Sequence, residues 1–385
     1  MGFSCQHAGT CGGCPSWATP YDEQLAHKRR ALADALAEAG LDGAHARDAR
    51  VTSLGEAGLR DRVDLALVRE PDGTPRLGLW DLARSHVVDL EACPQLSPRL
   101  AAWHAELRRH LPPVARASLR LRVAPDGRRG LWVDLAHVDA KALFDAPTWL
   151  RDVGARAAIE MGQRRKPVIL DPAPARPRLG KEPVLAPWFA TWLGDDARET
   201  PLFGPIGGFS QPGLAPARAI VAAVRAALRD TGASDVLEIG CGNGQLTLPI
   251  AADGRRVVAV DTDAVALAGL AMGAERAGVS AHVDARSGSL AASGLAALAM
   301  GADALVVDPP RSGLGAFVPA LGALPRPSRP RHLVYVSCYP EALARDAAAL
   351  AAAGYDLAAL EGVDQFPQTP HIEWIARFRG VLLTA

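Results

Sequence analysis

The chain has 385 residues, 49% of them hydrophobic, and its 42 basic residues balance 42 acidic ones. That is enough apolar material for two or three cores. It excludes a globally basic coat for nucleic acid, so any such binding must rest on local patches. No apolar run suits a membrane span and no basic-then-apolar start reads as a secretion signal, so a cytoplasmic location is expected; the chain is also expected to be a monomer. In that setting the six cysteines are metal ligands or catalytic groups before they are disulfides.

In chain order, Cys5, Cys11 and Cys14 open a short Gly- and Cys-rich segment. A helix follows, with Leu25, Leu32 and Leu36 on one face, Lys28, Arg29 and Arg30 largely off it, and Gly40 as its stop. Alternation at Val63, Leu65 and Leu67, the turn Pro71-Asp72-Gly73 and the return Arg76 to Trp80 predict a hairpin, with a third strand over His86 to Leu90 before Cys93. A second hairpin turns at Pro125-Asp126-Gly127 and places Arg120 and Arg122 on one face. The Pro- and Arg-rich stretch from Arg164 to Pro187 predicts a long loop or linker.

From about Pro201 apolar strands alternate with Ala-rich helices. Strands are predicted at Asp235 to Ile239, Arg256 to Val260, Ala304 to Val307 and His332 to Val336. This rhythm predicts an α/β, Rossmann-like domain over residues 201–385, preceded over residues 1–200 by a β-rich α+β region with a cysteine cluster.

Three strand ends carry the chemistry. Glu238-Ile239-Gly240-Cys241-Gly242-Asn243-Gly244 runs from a strand into a glycine-rich turn where backbone can approach a ligand closely. The next strand ends in Asp261, placed to accept from ribose hydroxyls or, as an alternative, to cap the following helix. The G-x-G-x-G spacing lacks the third dinucleotide glycine, which favours S-adenosylmethionine over a dehydrogenase cofactor. Asp308-Pro309-Pro310-Arg311-Ser312-Gly313 closes another buried strand, with Asp308 as a fixed acceptor or an N-cap. Cys338-Tyr339-Pro340 follows the strand to Ser337, so the helix dipole should favour a Cys338 thiolate; a buried structural cysteine is the alternative. Glu373 lies among apolar neighbours, where burial would raise it toward a working base; a solvated Glu on an edge strand is the alternative this segment alone favours, and His371 is a rival base.

Taken together and in this order, the N-terminal cysteines, the cofactor turn, DPPRSG, VYVSCYP and QFPQTPHIEW resemble the RNA uracil-5-methyltransferase family, across most of the chain. The resemblance implies methylation of carbon 5 of a uridine in ribosomal or transfer RNA, ribosomal RNA being favoured. It implies Cys338 as nucleophile and Glu373 as base, with S-adenosylmethionine held by Gln211, Gly240, Gly242, Asp261 and Asp308. The sequence departs from the common pattern at Gly213, Gly240, Asp261, Gly288-Ser289 and Tyr339. Cys5, Cys11, Cys14 and Cys93 are four possible metal ligands, two of them followed by proline. Four thiolates suit iron–sulfur or zinc, and the resemblance points to a [4Fe-4S] cluster. Lys28 to Arg30, Arg120 with Arg122, and Arg164 to Lys166 are candidate RNA contacts. The competing readings are methylation of another base and a catalytically silent RNA-binding iron–sulfur protein.

Overall fold

The structure is a computed structural model that describes residues 4–134, 140–162, 165–171, 176–289 and 294–380. A long helix, Tyr21–Glu38, precedes strand β1 (Arg50–Ser53). Strands β2 (Arg62–Arg69), β3 (Pro75–Trp80), β4 (Val87–Asp89), β5 (Arg116–Val123), β6 (Arg129–Asp134), β7 (Ala158–Met161), β8 (Lys166–Leu170) and β9 (Pro177–Leu179) form one sheet in the order β4-β3-β2-β5-β6-β7-β8-β9. A separate hairpin, β10 (Ala186–Leu193) and β11 (Arg198–Gly204), leads into the remainder. Both predicted N-terminal hairpins form. The stretch from Arg164 does not remain a loop: β8 and β9 extend the sheet edge, where prolines such as Pro177 cost no ladder hydrogen bond. Arg164 and residues 172–175 lie outside the described set.

The second sheet contains β12 (Asp235–Ile239), β13 (Arg256–Asp261), β14 (Val283–Ser287), β15 (Ala304–Val307), β16 (His332–Ser337), β17 (Tyr355–Asp364) and β18 (Glu373–Gly380). Their order is β1-β17-β18-β16-β15-β12-β13-β14. β12 to β16 pair in parallel, and β18 runs antiparallel to both neighbours. Successive residues of the parallel strands enter opposite cores. Leu237, Ile239, Leu305 and Val307 pack on one face, whereas Val236, Ala304 and Val306 pack on the other. Burial on both faces explains why these strands read as continuous apolar runs. The strand order reverses between β12 and β15, and ligands of such sheets bind beyond the strand carboxyl ends at that point. β1 joins this sheet beside β17, so a strand from the N-terminal fifth of the chain extends it.

No helix of the described residues is long and apolar enough to cross a membrane.

Candidate active site

β12 runs directly into Gly240, whose φ of +83° belongs to the left-handed region. A Cβ built there would meet the Asp308 carbonyl oxygen at 2.5 Å. The turn and the end of β15 therefore lie backbone against backbone, and only glycine fits. Asp261 holds the turn from the next strand: Gly242 N–H donates to its Oδ2 at 2.8 Å and Asp263 N–H to its Oδ1 at 2.8 Å. The helix Ala264–Ala277 is capped by Asp263, so Asp261 is not spent as an N-cap. Nor does a described helix start beside Asp308; the next begins at Phe317.

The loop after Asp308 is tied down from behind. Buried Asp346, on the helix Pro340–Ala352, accepts from Leu314 N–H at 2.6 Å and from the Tyr335 hydroxyl at 2.8 Å. Burial pushes the Asp308 carboxyl up, and the Asp261 charge adds to that. Burial likewise pushes buried Glu238 up to about 8, with Asp308 and Asp261 both adding. The glycine turn is thus flanked by three acidic side chains, an arrangement that suits a cationic ligand.

Cys338 lies just beyond β16, half-buried, with Tyr339 N–H and its carbonyl bonded to Ser337 Oγ. The sequence predicts a depressed thiol. The structure gives the opposite net direction, because burial and the Glu373 carboxylate raise it. The Arg311 guanidinium, close enough to hydrogen-bond the sulfur, pulls the other way. Glu373 opens β18 and is 6% exposed. Burial and Asp308 push it up to about 8, against the Gln365 hydrogen bond and the Arg311 charge. Gln365 Nε2 donates to Glu373 Oε1 at 2.7 Å and to Gln211 Oε1 at 2.9 Å, while its Oε1 is buried without a partner. Glu373 and Gln211 are therefore linked through Gln365, a residue with no role assigned from the sequence. His371 stands half-buried with its ring edge-on to Phe366, 6.2 Å between centroids, and burial pushes it down.

Other residues missed in the sequence support the loop that carries Gln211. Glu160 of β7 accepts from the Ile206 and Gly207 N–H groups at 2.8 and 3.0 Å. Arg120 and Arg122, read as an RNA-facing pair, turn out to hold this loop. Arg120 donates to Gly207 O at 2.7 Å. Arg122, 2% exposed, donates to Gly208 O and Ser210 Oγ, both at 2.9 Å, over the Phe189 ring. Lys28 is also removed from the list of RNA contacts, since it is buried in an ion pair with Asp364 at 2.7 Å. Arg165 pairs with Asp263 at 3.3 Å. Periodicity alone places these residues on faces, not against a particular loop.

The four N-terminal-region cysteines are unpaired. Cys11 lies in a segment stitched to the end of β3, with Gly12 N–H bonded to Trp80 O at 2.9 Å and Leu82 N–H to Thr10 O at 3.1 Å. Gly13 N–H points at Cys11 Sγ, 3.4 Å away. Burial pushes the Cys14 thiol up to about 12, and Cys93, Cys11 and Cys5 each add to the shift against the Arg60 charge. Among the described residues, no three His, Cys, Asp or Glu side chains are grouped to hold a single metal ion.

Comparison with known proteins matches this geometry to a family. Residues 290–385 match the family model described as tRNA (Uracil-5-)-methyltransferase. The chain is 36% identical over 373 residues to an uncharacterized RNA methyltransferase of Bdellovibrio bacteriovorus, covering 96% of this chain and 93% of that relative. It is 31% identical over 399 residues to the 23S rRNA (uracil(1939)-C(5))-methyltransferase RlmD of Pseudomonas entomophila, covering 98% and 79%. The Pyrococcus abyssi tRNA (uracil-54, C5)-methyltransferase, solved with S-adenosyl-L-homocysteine, shares the fold, with a TM-score of 0.67 at 22% identity over 95% of this chain and 85% of that one. Similarity of this extent, along nearly the whole chain, makes this protein a member of the RNA uracil-5-methyltransferase family, an S-adenosylmethionine-dependent enzyme of RNA modification.

Proposed function

We propose that the enzyme methylates carbon 5 of a uridine in 23S ribosomal RNA, with Cys338 as covalent nucleophile and Glu373 as the base. The observation that carries this reading is the convergence of three separate segments, in which Arg311 and Asp308 both act on the ionisation of Cys338 and Glu373. The ribosomal substrate is favoured by the RlmD relatives, at about a third of positions identical.

Carbon 5 of uracil is a weak nucleophile. Addition of the Cys338 thiolate to carbon 6 moves the ring's double-bond electrons into an enolate, which makes carbon 5 electron-rich. Arg311 favours the thiolate that this step consumes. S-adenosylmethionine supplies the electrophilic methyl group. Gln211, Gly240, Gly242, Asp261 and Asp308 would hold it: the glycine turn admits a ligand against backbone, and the flanking acidic side chains suit its positive charge. Once carbon 5 carries the methyl group, Glu373 takes the carbon 5 proton, the sulfur–carbon 6 bond breaks, and the Cys338 thiolate leaves as the ring double bond re-forms. The target base must leave its stack to reach these groups. Residues 201–385 would carry this chemistry in a monomer, and residues 1–200 would dock RNA.

The same reading places a [4Fe-4S] cluster on Cys5, Cys11, Cys14 and Cys93. What supports it is the presence of four unpaired cysteines, three of which act on the charge of Cys14, the number of thiolates such a cluster takes. Protein prepared without oxygen is therefore expected to be brown and to contain iron and sulfide in cluster ratio; zinc in their place would overturn the assignment.

The test of the function is methyl transfer to RNA lacking 5-methyluridine, read by nucleoside mass spectrometry and fragment mapping. 5-Methyluridine in a 23S fragment is the expected product. Its appearance only in transfer RNA would overturn the substrate, and methylation of a different base would overturn the reaction.

A further inference from the structure

The segment that carries Glu373 is gripped by the N-terminal part of the chain. Asp364, fully buried, stands one residue before Gln365, whose amide holds the Glu373 carboxylate. Lys28 Nζ donates to Asp364 Oδ1 at 2.7 Å and to Phe366 O at 3.1 Å. The Tyr21 hydroxyl donates to Asp364 Oδ2 at 2.8 Å. One helical turn before Lys28, Gln24 is 2% exposed and makes a reciprocal pair with Gln368: its Nε2 donates to Gln368 Oε1 at 2.7 Å, and Gln368 N–H donates to its Oε1 at 2.8 Å. Gln368 has a φ of +67°, a conformation that a side-chain-bearing residue keeps only where its surroundings hold it.

The cysteine-bearing segment takes part in the same grip. Ser16, two residues past Cys14, donates its N–H to Gln368 O at 3.0 Å, and its carbonyl accepts from Gln24 Nε2 at 3.1 Å. Arg60, whose charge reaches both Cys14 and Cys93, lies over the Phe366 ring at 5.8 Å. Asp308 and Cys338, by contrast, follow directly on β15 and β16, and none of these contacts touches them.

We infer that Gln24 and Lys28 are positioning residues for proton removal, forming with the cysteine segment a clamp that holds the Asp364–Glu373 loop. This inference rests on the reading of Glu373 as the base. Loosening the clamp misplaces Glu373 while leaving Cys338 and Asp308 where they are. Addition and methyl transfer then proceed, elimination lags, and the methylated protein–RNA adduct builds up. A role confined to stability would lower the amount of active enzyme without changing the fraction held as adduct.

The experiment compares Gln24→Leu, Lys28→Met and Glu373→Gln in the full chain with its metal content intact. Melting curves show whether each folds. Gln24→Leu strands no buried charge and carries the test if Lys28→Met fails to fold. The expected result for Gln24→Leu is a fall in kcat of at least about tenfold, the scale of a small misplacement of a reacting group, with little change in KM for RNA and more methylated adduct on a denaturing gel. An unchanged kcat, or a lower kcat with no added adduct while Glu373→Gln accumulates it, overturns the clamp alone. Wild-type turnover by Glu373→Gln would overturn the base assignment and the clamp with it.

Discussion

Cys338→Ala is expected to lose methyl transfer to RNA by at least about a thousandfold in kcat/KM while still binding S-adenosylmethionine. The size follows from what the thiolate does: without addition at carbon 6 there is no enolate, and carbon 5 has no electron pair to offer the methyl group. Cofactor binding should survive because Cys338 follows β16, whereas the residues proposed to hold the cofactor lie at or just past the ends of β12, β13 and β15 or on the Gln211 loop. The stability cost should be small, since the side chain is only half-buried. Isothermal titration with the cofactor and single-turnover methyl transfer measure the two halves separately. Full activity in this variant would remove the covalent mechanism.

Glu373→Gln is expected to slow turnover by about a hundredfold or more, the range of a lost general base, and to hold the RNA on the protein as a methylated adduct. Gln keeps the shape and the contact with Gln365 but has no site for the carbon 5 proton. The wild-type pH profile should carry the same signature. Burial and Asp308 raise the Glu373 carboxyl to about 8, so its base form is scarce at pH 6 and dominant above pH 8. Burial and Glu373 also raise Cys338, which works in the same direction. The rate of steady-state methylation should therefore climb with pH across neutrality. A profile flat from pH 6 to 9, with chemistry limiting, would contradict the assignment of a raised carboxyl as base.

The parallel strands were legible because burial on both faces leaves a plain apolar run ending in a chemical residue. Ile239-Gly240, Val307-Asp308 and Ser337-Cys338 mark three such ends along the sheet. Two departures from the family pattern became intelligible only in three dimensions. At Gly213 a Cβ would lie 1.7 Å from Leu59 O, and at Gly240 one would lie 2.5 Å from Asp308 O, so neither position admits a larger residue without moving backbone. Lys28 was misplaced by a stripe drawn through leucines alone. Gln24, Lys28, Leu32 and Leu36 recur at the same helical interval and share the buried face, and what makes a lysine acceptable there is an aspartate 336 residues away. Arg120 and Arg122 likewise required knowledge of the Gly207–Ser210 loop they hold. Arg311 was visible in DPPRSG as a residue type but not as the counter-charge to Cys338 and Glu373, because that role depends on three strand ends meeting. The net upward direction at Cys338 was hidden for the same reason: the dipole is local, but burial and the facing carboxylate are not.

The central claim, methylation of uridine carbon 5 through Cys338, is tested most directly with target RNA bearing 5-fluorouridine, which has no carbon 5 proton to surrender. The account predicts a stable complex whose mass contains protein, RNA fragment and one added methyl group, with the cross-link mapped to Cys338 by peptide mass spectrometry. A cross-link at another residue would contradict it, as would absence of any complex under conditions where ordinary RNA is methylated.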